Sequence, residues 1–166
     1  MEQEIMNAVK AVLEHLQTDG ARPAGGSDRM TLALAEALIA RVKEKAAQMG
    51  VRAVVAVSDA AARPVAVHCM DDAYIASFDI ALNKTYTSAS LKMSTEKLGE
   101  LSQPGQPLYG IQFTNGGRIV IFGGGEVLEL KGKIVGALGV SGGTAQEDTA
   151  LAAYGKTIFE EVAACL

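Results

Sequence analysis

The sequence contains few of the residues that usually build dedicated chemical sites. Its 166 residues include no Trp, two Cys and two His, and aromatic residues make up 5% of the chain. Cys69 and Cys165 form no CxxC or other metal-binding spacing, which is typical of reduced thiols in a reducing compartment. No metal site is therefore predicted from spacing alone.

Long apolar runs and clustered positive charge are also missing. No apolar run approaches the roughly 20 residues of a membrane span, and the acidic start MEQEIMNAVK lacks the basic region of a secretory signal. The formal net charge is -4, and the basic residues are scattered, whereas phosphate contacts need clustered Lys and Arg. We expect a cytoplasmic protein with no nucleic-acid or membrane partner.

The apolar residues that are present predict one domain with an appended helix. An apolar helical stripe runs through Ile5, Val9 and Leu16, and the Gly- and Pro-rich stretch TDGARPAGGSD follows it at residues 18–28. A chain of this length holds a single well-packed domain. We expect residues 1–29 to form a helix and linker, and residues 30–166 to form the domain.

Periodicity and turn residues predict an α+β order of elements in that domain. Helices are predicted at residues 31–49, 73–91, 95–102 and 145–164, and strands at 52–58, 64–70, 118–122, 126–130 and 133–141. Lys131 with Gly132 is typical of a hairpin turn, and Thr144 with Glu147 is typical of a capping box. Two hairpins imply an antiparallel sheet of about five strands with helices packed on it.

The predicted helix at residues 73–91 has an apolar side and a polar side. The apolar side contains Ile75, Phe78, Leu82, Tyr86 and Ala89. Asp79, Asn83, Thr87 and Ser90 line the other side. Lys84 and Asp79 could then line a pocket, although a solvated charged helix face is favoured.

Ten of the 18 glycines lie between residues 116 and 143. Neither a Walker loop nor a dinucleotide fingerprint is present among them. The turn at residues 139–143 enters a helix start, where N–H groups favour anions, but Glu147 and Asp148 already supply negative charge there. The glycines therefore indicate sheet turns and a strand-to-helix turn more than a phosphate cradle.

Two further patterns resemble reactive sites only in part. Ser141 lies in GVSGG, which matches a nucleophile elbow in letters, yet neither His15 nor His68 can be assigned as its base. The segment HCMDD at residues 68–72 contains side chains that ligate soft metals or haem iron. On a strand, His68 and Met70 face opposite to Cys69, so at most two of them can share a site. A partly buried strand ending in an acidic turn, with Asp71 or Asp72 capping the next helix, is the favoured interpretation.

Five ordered blocks resemble the GlcG/HbpS family, and most closely the C-terminal domain of PduO-type proteins. The blocks are VVAVSDAAARPVAVHCMDDA, SFDIALNKTYTSASL, QPGQPLYGI, RIVIFGGG and GKIVGALGVSGGTAQED. The resemblance covers about residues 30–164. It implies a profilin-like fold with a five-stranded antiparallel sheet and helices on both faces, in α/β/α layers, and it implies homo-oligomers.

The resemblance also implies a class of function. Some relatives bind or handle haem, and others accompany glycolate metabolism or cobalamin-dependent diol and glycerol metabolism. It implies an oligomeric accessory protein that binds a small molecule or cofactor, haem among them. The candidate ligand-binding residues are Met70, Asp71, Lys84, Tyr109, Ser141, Gly142 and Gly143.

Two departures from the family bear on haem. The family usually has Arg before Met-Asp on the strand, where this chain has Cys69. Haem-binding relatives use a histidine on the helix that corresponds to residues 31–49, and this helix contains none. His68 is a candidate haem ligand on the neighbouring strand.

The alternative function is an enzyme of unknown reaction on a small oxygenated metabolite. Asp71, Lys84 or Asp148 would transfer protons in such a reaction. This alternative requires Lys84 to be shifted in pKa by burial, beside a carboxylate, in a cleft that a substrate can enter.

Overall fold

The computed structural model describes Met6 and residues 28–166. The helix predicted near the N-terminus and its linker fall almost entirely outside these residues. Four helices and four strands follow one another within the described part of the chain. They are α1 (Leu32–Gln48), β1 (Val54–Asp59), β2 (Pro64–Cys69), α2 (Ser77–Leu91), α3 (Thr95–Leu101), β3 (Gly125–Leu130), β4 (Lys133–Ser141) and α4 (Ala145–Ala164).

The four strands form one antiparallel sheet in the order β2-β1-β4-β3. Val55 of β1 lies opposite His68 of β2 on one side and opposite Val140 of β4 on the other. The β3–β4 turn contains Lys131 and Gly132 at φ values of 51° and 73°. Two successive positive φ values are typical of a tight hairpin turn, and the predicted turn is confirmed.

Helices cover both faces of this sheet. Val55 and Val57 belong to the larger core with residues of α1 and α4, whereas Val54 and Ala56 pack with Ala81 of α2. Alternate residues of β1 point to opposite faces, so both helix layers bury the strand. The α+β class and the antiparallel sheet are therefore confirmed.

The prediction of a fifth strand at residues 118–122 is wrong. These residues join no ladder of the sheet. Their backbone instead forms hydrogen bonds with the side chain of Thr87 in α2. Thr87 Oγ1 accepts from Val120 N–H at 3.0 Å and donates to Arg118 O at 3.3 Å. Ile119 and Val120 are buried, so apolar β-type residues here serve packing without strand pairing.

Most of the apolar side of residues 73–91 lies outside the core. Ile75 is 97% exposed and Phe78 is 44% exposed. The buried side of α2 consists of small or polar residues together with Lys84: Ser77, Ala81, Lys84, Thr85, Thr87, Ser88 and Ala89. The helix begins at Ser77, after Ala76, and no side chain caps it, so Asp71 and Asp72 do not have the predicted capping role.

Candidate functional site

One end of the sheet gathers most of the predicted site residues. β1 begins there at Val54, which lies opposite both Cys69 at the end of β2 and Ser141 at the end of β4. The segments that leave β2 and β4 contain Met70, Asp71 and the Gly142–Gly143 turn. The antiparallel register therefore brings together two strand ends, Cys69 and Ser141, that are 72 residues apart in the chain.

An open cleft of about 440 Å³ lies at this end of the sheet. Its lining residues are Gly50, Val51, Arg52, Asp72, Tyr74, Gly142, Gly143, Thr144 and Glu147. Gly142 and Gly143 are the predicted ligand-binding residues among them. Arg52 brings the positive charge, and Tyr74 brings an aromatic ring that is 71% exposed.

Side chains of α4 and of its N-cap residue Thr144 cap the start of α4 at the cleft. Glu147 N–H donates to Thr144 Oγ1 at 3.2 Å, and Thr144 N–H donates to Glu147 Oε2 at 2.7 Å. Gly143 N–H donates to Asp148 Oδ1 at 2.9 Å. The predicted capping box is confirmed. Two of these three N–H groups are already bound to carboxylates and the third to a hydroxyl, which disfavours an anion at this point.

Removing this cap is expected to cost stability in a pH-dependent way. Thr144→Ala should lower the free energy of unfolding by about 1 kcal/mol at pH 7. Hydrogen bonds from Thr144 lower the pKa of Glu147 below its usual 4.5. The stabilisation by Glu147 is therefore complete above that value and is lost as the pH falls through the lowered pKa.

Urea unfolding at pH 7 and near pH 3 measures both effects. Thr157→Ala is the matched control, because Thr157 is an exposed threonine within α4 whose Oγ1 donates to Ala153 O and caps no helix end. We expect that control to change the free energy of unfolding by less than about 0.5 kcal/mol. Equal losses in the two variants would contradict a capping role.

Lys84 and Asp148 form a buried ion pair beside this end of the sheet. Lys84 Nζ donates to Asp148 Oδ2 at 2.8 Å and to Val140 O at 2.7 Å. Their side chains are 0% and 4% exposed. The ring of Phe122 covers the ammonium, with 4.9 Å between Lys84 Nζ and the ring centroid. Burial lowers the pKa of Lys84, and the charge of Asp148 opposes that shift. The solvated helix face favoured for Lys84 is therefore wrong.

The glycine tract makes room for this lysine. Val140 N–H donates to Gly124 O, whereas Val140 O accepts from the Lys84 amine. Gly124 has a φ of 112°, and a Cβ there would lie 2.6 Å from both Lys84 Nζ and Val140 O. A side chain at residue 124 is thus excluded by position and by backbone conformation. The amine reaches from the α2 layer to Asp148 in the α4 layer.

The other predicted ligand-binding residues have different surroundings. Met70 packs against the larger core, and its Sδ accepts from Ala53 N–H at 3.4 Å. Ser141 is buried and donates to Ser77 Oγ at 3.1 Å. Asp71 is exposed at the sheet end. Tyr109 is 66% exposed in the loop after α3, and neither it nor Lys84 lines the cleft.

A strip of apolar surface adjoins the cleft on the α2 side of the sheet. Val67, Ala73 and Leu82 are partly buried against Val54, Ala56 and Ala81. We call these three partly buried residues, together with Phe78, the apolar shelf. Phe78 lies one helical turn before Leu82 and so shares its side of α2. Cys69 is an exposed free cysteine that forms no disulfide, and its side chain lies on the same side of β2 as that of Val67.

His68 lies on the opposite face of β2, against α1. Its Nδ1 is 3.2 Å from Lys43 Nζ. An ammonium group can only donate, so Nδ1 accepts and the ring proton lies on Nε2. A metal-bound histidine instead donates its second ring N–H to an acceptor. This arrangement argues against His68 as an iron ligand.

Sequence reasoning missed Arg52, Tyr74 and Glu147 as neighbours in one cleft. The sequence pattern predicts a strand at Arg52, a helix at Tyr74 and a helix cap at Glu147. The pairing of β1 with β4 would have placed Arg52 near the glycine turn, but the sequence pattern alone does not predict that pairing. Within residues 28–166, no group of three His, Cys, Asp or Glu side chains could hold a metal ion.

Relatives and solved structures share most of this domain. An uncharacterized 15.0 kDa protein of Citrobacter freundii, from the dhaT-dhaS intergenic region, is 44% identical over 80% of this chain and 94% of its own length. The corrinoid adenosyltransferase PduO of Salmonella typhimurium is 37% identical over 66% of this chain. That match spans 32% of PduO, so this chain corresponds to about a third of that relative.

Among solved structures, Klebsiella pneumoniae protein ORFY has a TM-score of 0.77 and 38% identity, covering 84% of this chain and 97% of its own. A PduOC:heme complex has a TM-score of 0.75 and 32% identity, covering 78% and 94%. None of the described helices is long and apolar enough to cross a membrane. The sequence model of the family described as haem degrading protein HbpS-like matches residues 30–156, and the chain belongs to this HbpS-like family.

Proposed function

We propose that this protein is a haem-binding accessory protein, and that Cys69 and the apolar shelf would hold the haem. The observation that carries the proposal is the exposed Cys69 thiol beside exposed apolar side chains of a domain that is otherwise well packed. Exposed apolar surface of this kind marks binding sites. The solved PduOC:heme complex, at 32% identity, supports haem as the ligand.

The residues of the shelf fit the needs of a haem group. A haem needs a flat apolar contact and one axial donor, and a cysteine thiolate is one of the donors that proteins use. Val67, Ala73, Leu82 and Phe78 would supply the apolar contact. Cys69 would hold the iron, whose redox chemistry the haem supplies when bound. A metal-bound His68 would have to donate its second ring N–H to an acceptor, but its Nδ1 instead accepts from Lys43. His68 is therefore not assigned this role.

A haem titration followed by absorption spectroscopy tests this proposal. The wild-type protein should shift the Soret band, and Cys69→Ser should weaken binding by at least about tenfold, since even residues that only support a metal ligand contribute that much. Cys165→Ser is the matched control, because Cys165 is also an exposed free thiol. His68→Ala should bind as the wild type does. A wild-type protein that leaves the Soret band unchanged would contradict haem binding.

The accessory role is supported by the relatives rather than by a catalytic group. The match to PduO covers a third of that corrinoid adenosyltransferase, and we propose that this chain serves a corrinoid-dependent pathway. The alternative of an enzyme required Lys84 in a cleft. Burial and the neighbouring carboxylate of Asp148 meet two of those conditions, but the buried pair lies outside the cleft lining.

We also propose that the protein assembles as a homo-oligomer. Tyr109 and Phe113, in the loop between α3 and β3, are 66% and 81% exposed. Aromatic side chains of this kind are enriched at subunit interfaces, so Tyr109 is better suited to a subunit contact than to the cleft. Light scattering at micromolar concentration checks the assembly, and a monomeric mass would contradict it.

A further inference from the structure

β2 is an edge strand that carries no Lys, Arg, Asp or Glu. It lies at one end of the strand order, and β1 is the one strand that pairs with it within residues 28–166. Proteins usually protect such an edge from other chains with charged side chains, above all lysine. β2 has the sequence PVAVHC, in which only the first residue, Pro64, limits pairing. Residues 65–68 are half-buried, so partly exposed and mostly apolar side chains border this open edge.

The register of β2 on β1 shows which of its backbone groups face the open side. Met70 N–H donates to Ala53 O at 3.0 Å, just beyond the ladder pair that contains Cys69. Antiparallel pairs alternate between hydrogen-bonded and non-hydrogen-bonded positions, so the ladder pairs at Cys69 and at Val67 are not hydrogen-bonded. The N–H and C=O groups of Val67 and Cys69 therefore point away from β1.

A second copy of β2 matches this open edge in one register. When two identical strands pair about a two-fold axis, the same residue of each copy meets at the axis. With Val67 on the axis, each Val67 N–H can donate to the Val67 carbonyl of the other copy. Arg63 lies four residues before Val67 and Asp71 lies four residues after it, so each Arg63 lies opposite Asp71 of the other copy. With Cys69 on the axis, Asp71 would instead lie opposite Val67, and the charges would not match.

Both charges in this match are accessible. Asp71 is exposed, and it takes part in none of the ion pairs among residues 28–166. The Arg63 side chain is 80% exposed, and its Nε donates to Asp59 Oδ2 at 3.0 Å. A guanidinium has further N–H donors beyond Nε, so its terminal nitrogens can still bind a carboxylate. The end of one β2 is thus complementary in charge to the start of another.

We infer that β2 is an interface between two copies of this chain, which joins their four-stranded sheets into one continuous antiparallel sheet. Val67 lies on the two-fold axis, and Arg63 of each copy pairs with Asp71 of the other. A two-fold contact of this kind closes on itself, so it gives a dimer and not a fibre. The inference rests on the proposed homo-oligomer and identifies one of its contacts. Because Val67 also belongs to the apolar shelf, the shelves of the two copies adjoin across the axis.

Charge reversal tests this interface, with the assembled mass measured by light scattering and native mass spectrometry over a dilution series from micromolar concentration. Arg63→Glu and Asp71→Arg each place like charges opposite one another twice per dimer, and each should weaken the pairing about tenfold. The double variant Arg63→Glu/Asp71→Arg restores opposite charges and should recover the wild-type mass at each dilution. Arg41→Glu is the matched control, because Arg41 is an exposed arginine of α1 that also forms an exposed ion pair.

The outcomes separate this interface from the assembly itself. If the wild-type protein is a monomer, the proposed homo-oligomer fails and takes this inference with it. If the wild-type protein assembles and both single variants keep its mass at every dilution, the assembly stands and the β2 interface is overturned. The interface is also overturned if the double variant stays as weak as the single variants, or if Arg41→Glu weakens the assembly equally. Recovery in the double variant alone supports the register, since a defect in folding would not be repaired by a second substitution.

Discussion

Lys84→Met is expected to lower the free energy of unfolding by about 3–5 kcal/mol, the usual cost of removing one partner of a buried ion pair. The substitution leaves the Asp148 carboxylate 4% exposed, with Gly143 N–H as its remaining recorded donor. It also removes the donor to Val140 O. Urea unfolding at pH 7, followed by circular dichroism, measures the loss.

Two companion variants identify the charge as the cause. Lys84→Met combined with Asp148→Leu removes both charges, and it should recover most of the loss, since well-packed apolar pairs replace buried ion pairs at little cost. Lys97→Met removes the exposed pair with Glu100 and should change the free energy of unfolding by less than about 1 kcal/mol. A double variant no more stable than Lys84→Met would contradict the charge explanation.

The same pair predicts a dependence on alkaline pH. In Asp148→Asn, the contribution of Asp148 that raises the pKa of Lys84 is absent, and burial alone lowers this pKa below the usual 10.5. The unfolded chain then holds its proton at pH values where the folded chain has released it, so stability rises with pH in this interval. The deficit of Asp148→Asn relative to wild type should shrink between pH 7 and pH 10. A deficit that grows would contradict the direction of the shift.

Gly139→Ala is expected to destabilise the fold by about 3 kcal/mol, at the upper end of ordinary overpacking. Gly139 of β4 lies opposite Ala56 of β1, on the face covered by α2. A Cβ there would meet Ala81 O and would lie 3.0 Å from Thr85 N. Both atoms belong to the helix backbone, so relief requires α2 to move off the sheet. Thermal and urea unfolding measure the effect.

Gly155→Ala is the matched control for that prediction. Its Cβ would meet side-chain atoms of Leu138 and Val42, which can shift more easily than backbone. Alanine also favours a helix over glycine by about 1 kcal/mol, and Gly155 lies within α4. We expect a much smaller change than for Gly139→Ala. Similar losses in both variants would contradict the close approach of α2 to β4.

Local signals were sufficient for the C-terminal half of the sheet and its last helix. The capping box at Thr144 correctly located the start of α4, and Lys131 with Gly132 correctly located the β3–β4 turn. Each of these signals depends on residues within four positions of each other. For such features the chemistry that determines the structure is fully contained in the adjacent sequence.

Features that depend on distant partners could not be predicted. Residues 118–122 have strand-forming side chains, but their backbone partner is Thr87 on a helix. Lys84 reads as a surface residue because its counter-charge, Asp148, is 64 positions away. The exposed side of α2 is the more apolar one, since its core face is built from small residues that permit close packing on the sheet.

The candidate site was predictable in part. Met70, Asp71 and the Ser141–Gly143 turn were grouped from the sequence and do lie at one end of the sheet, and Gly142 and Gly143 line the cleft. The position of Arg52 beside these residues could not be predicted, because it depends on how β1 pairs with β4. The assignment of a ligand to any of these residues stays a prediction.

The reach of Lys84 across the sheet has a consequence for motion. A sheet between two helix layers can ordinarily loosen one layer at a time, which gives local openings of low free energy. Here α2 cannot move away from the sheet without separating Lys84 from Asp148 of α4. The Asp148 carboxylate would then lie in a gap that water fills only in part. The two layers are therefore coupled into a single cooperative unit, and fluctuations that open the sheet at Gly124 involve both of its faces at once.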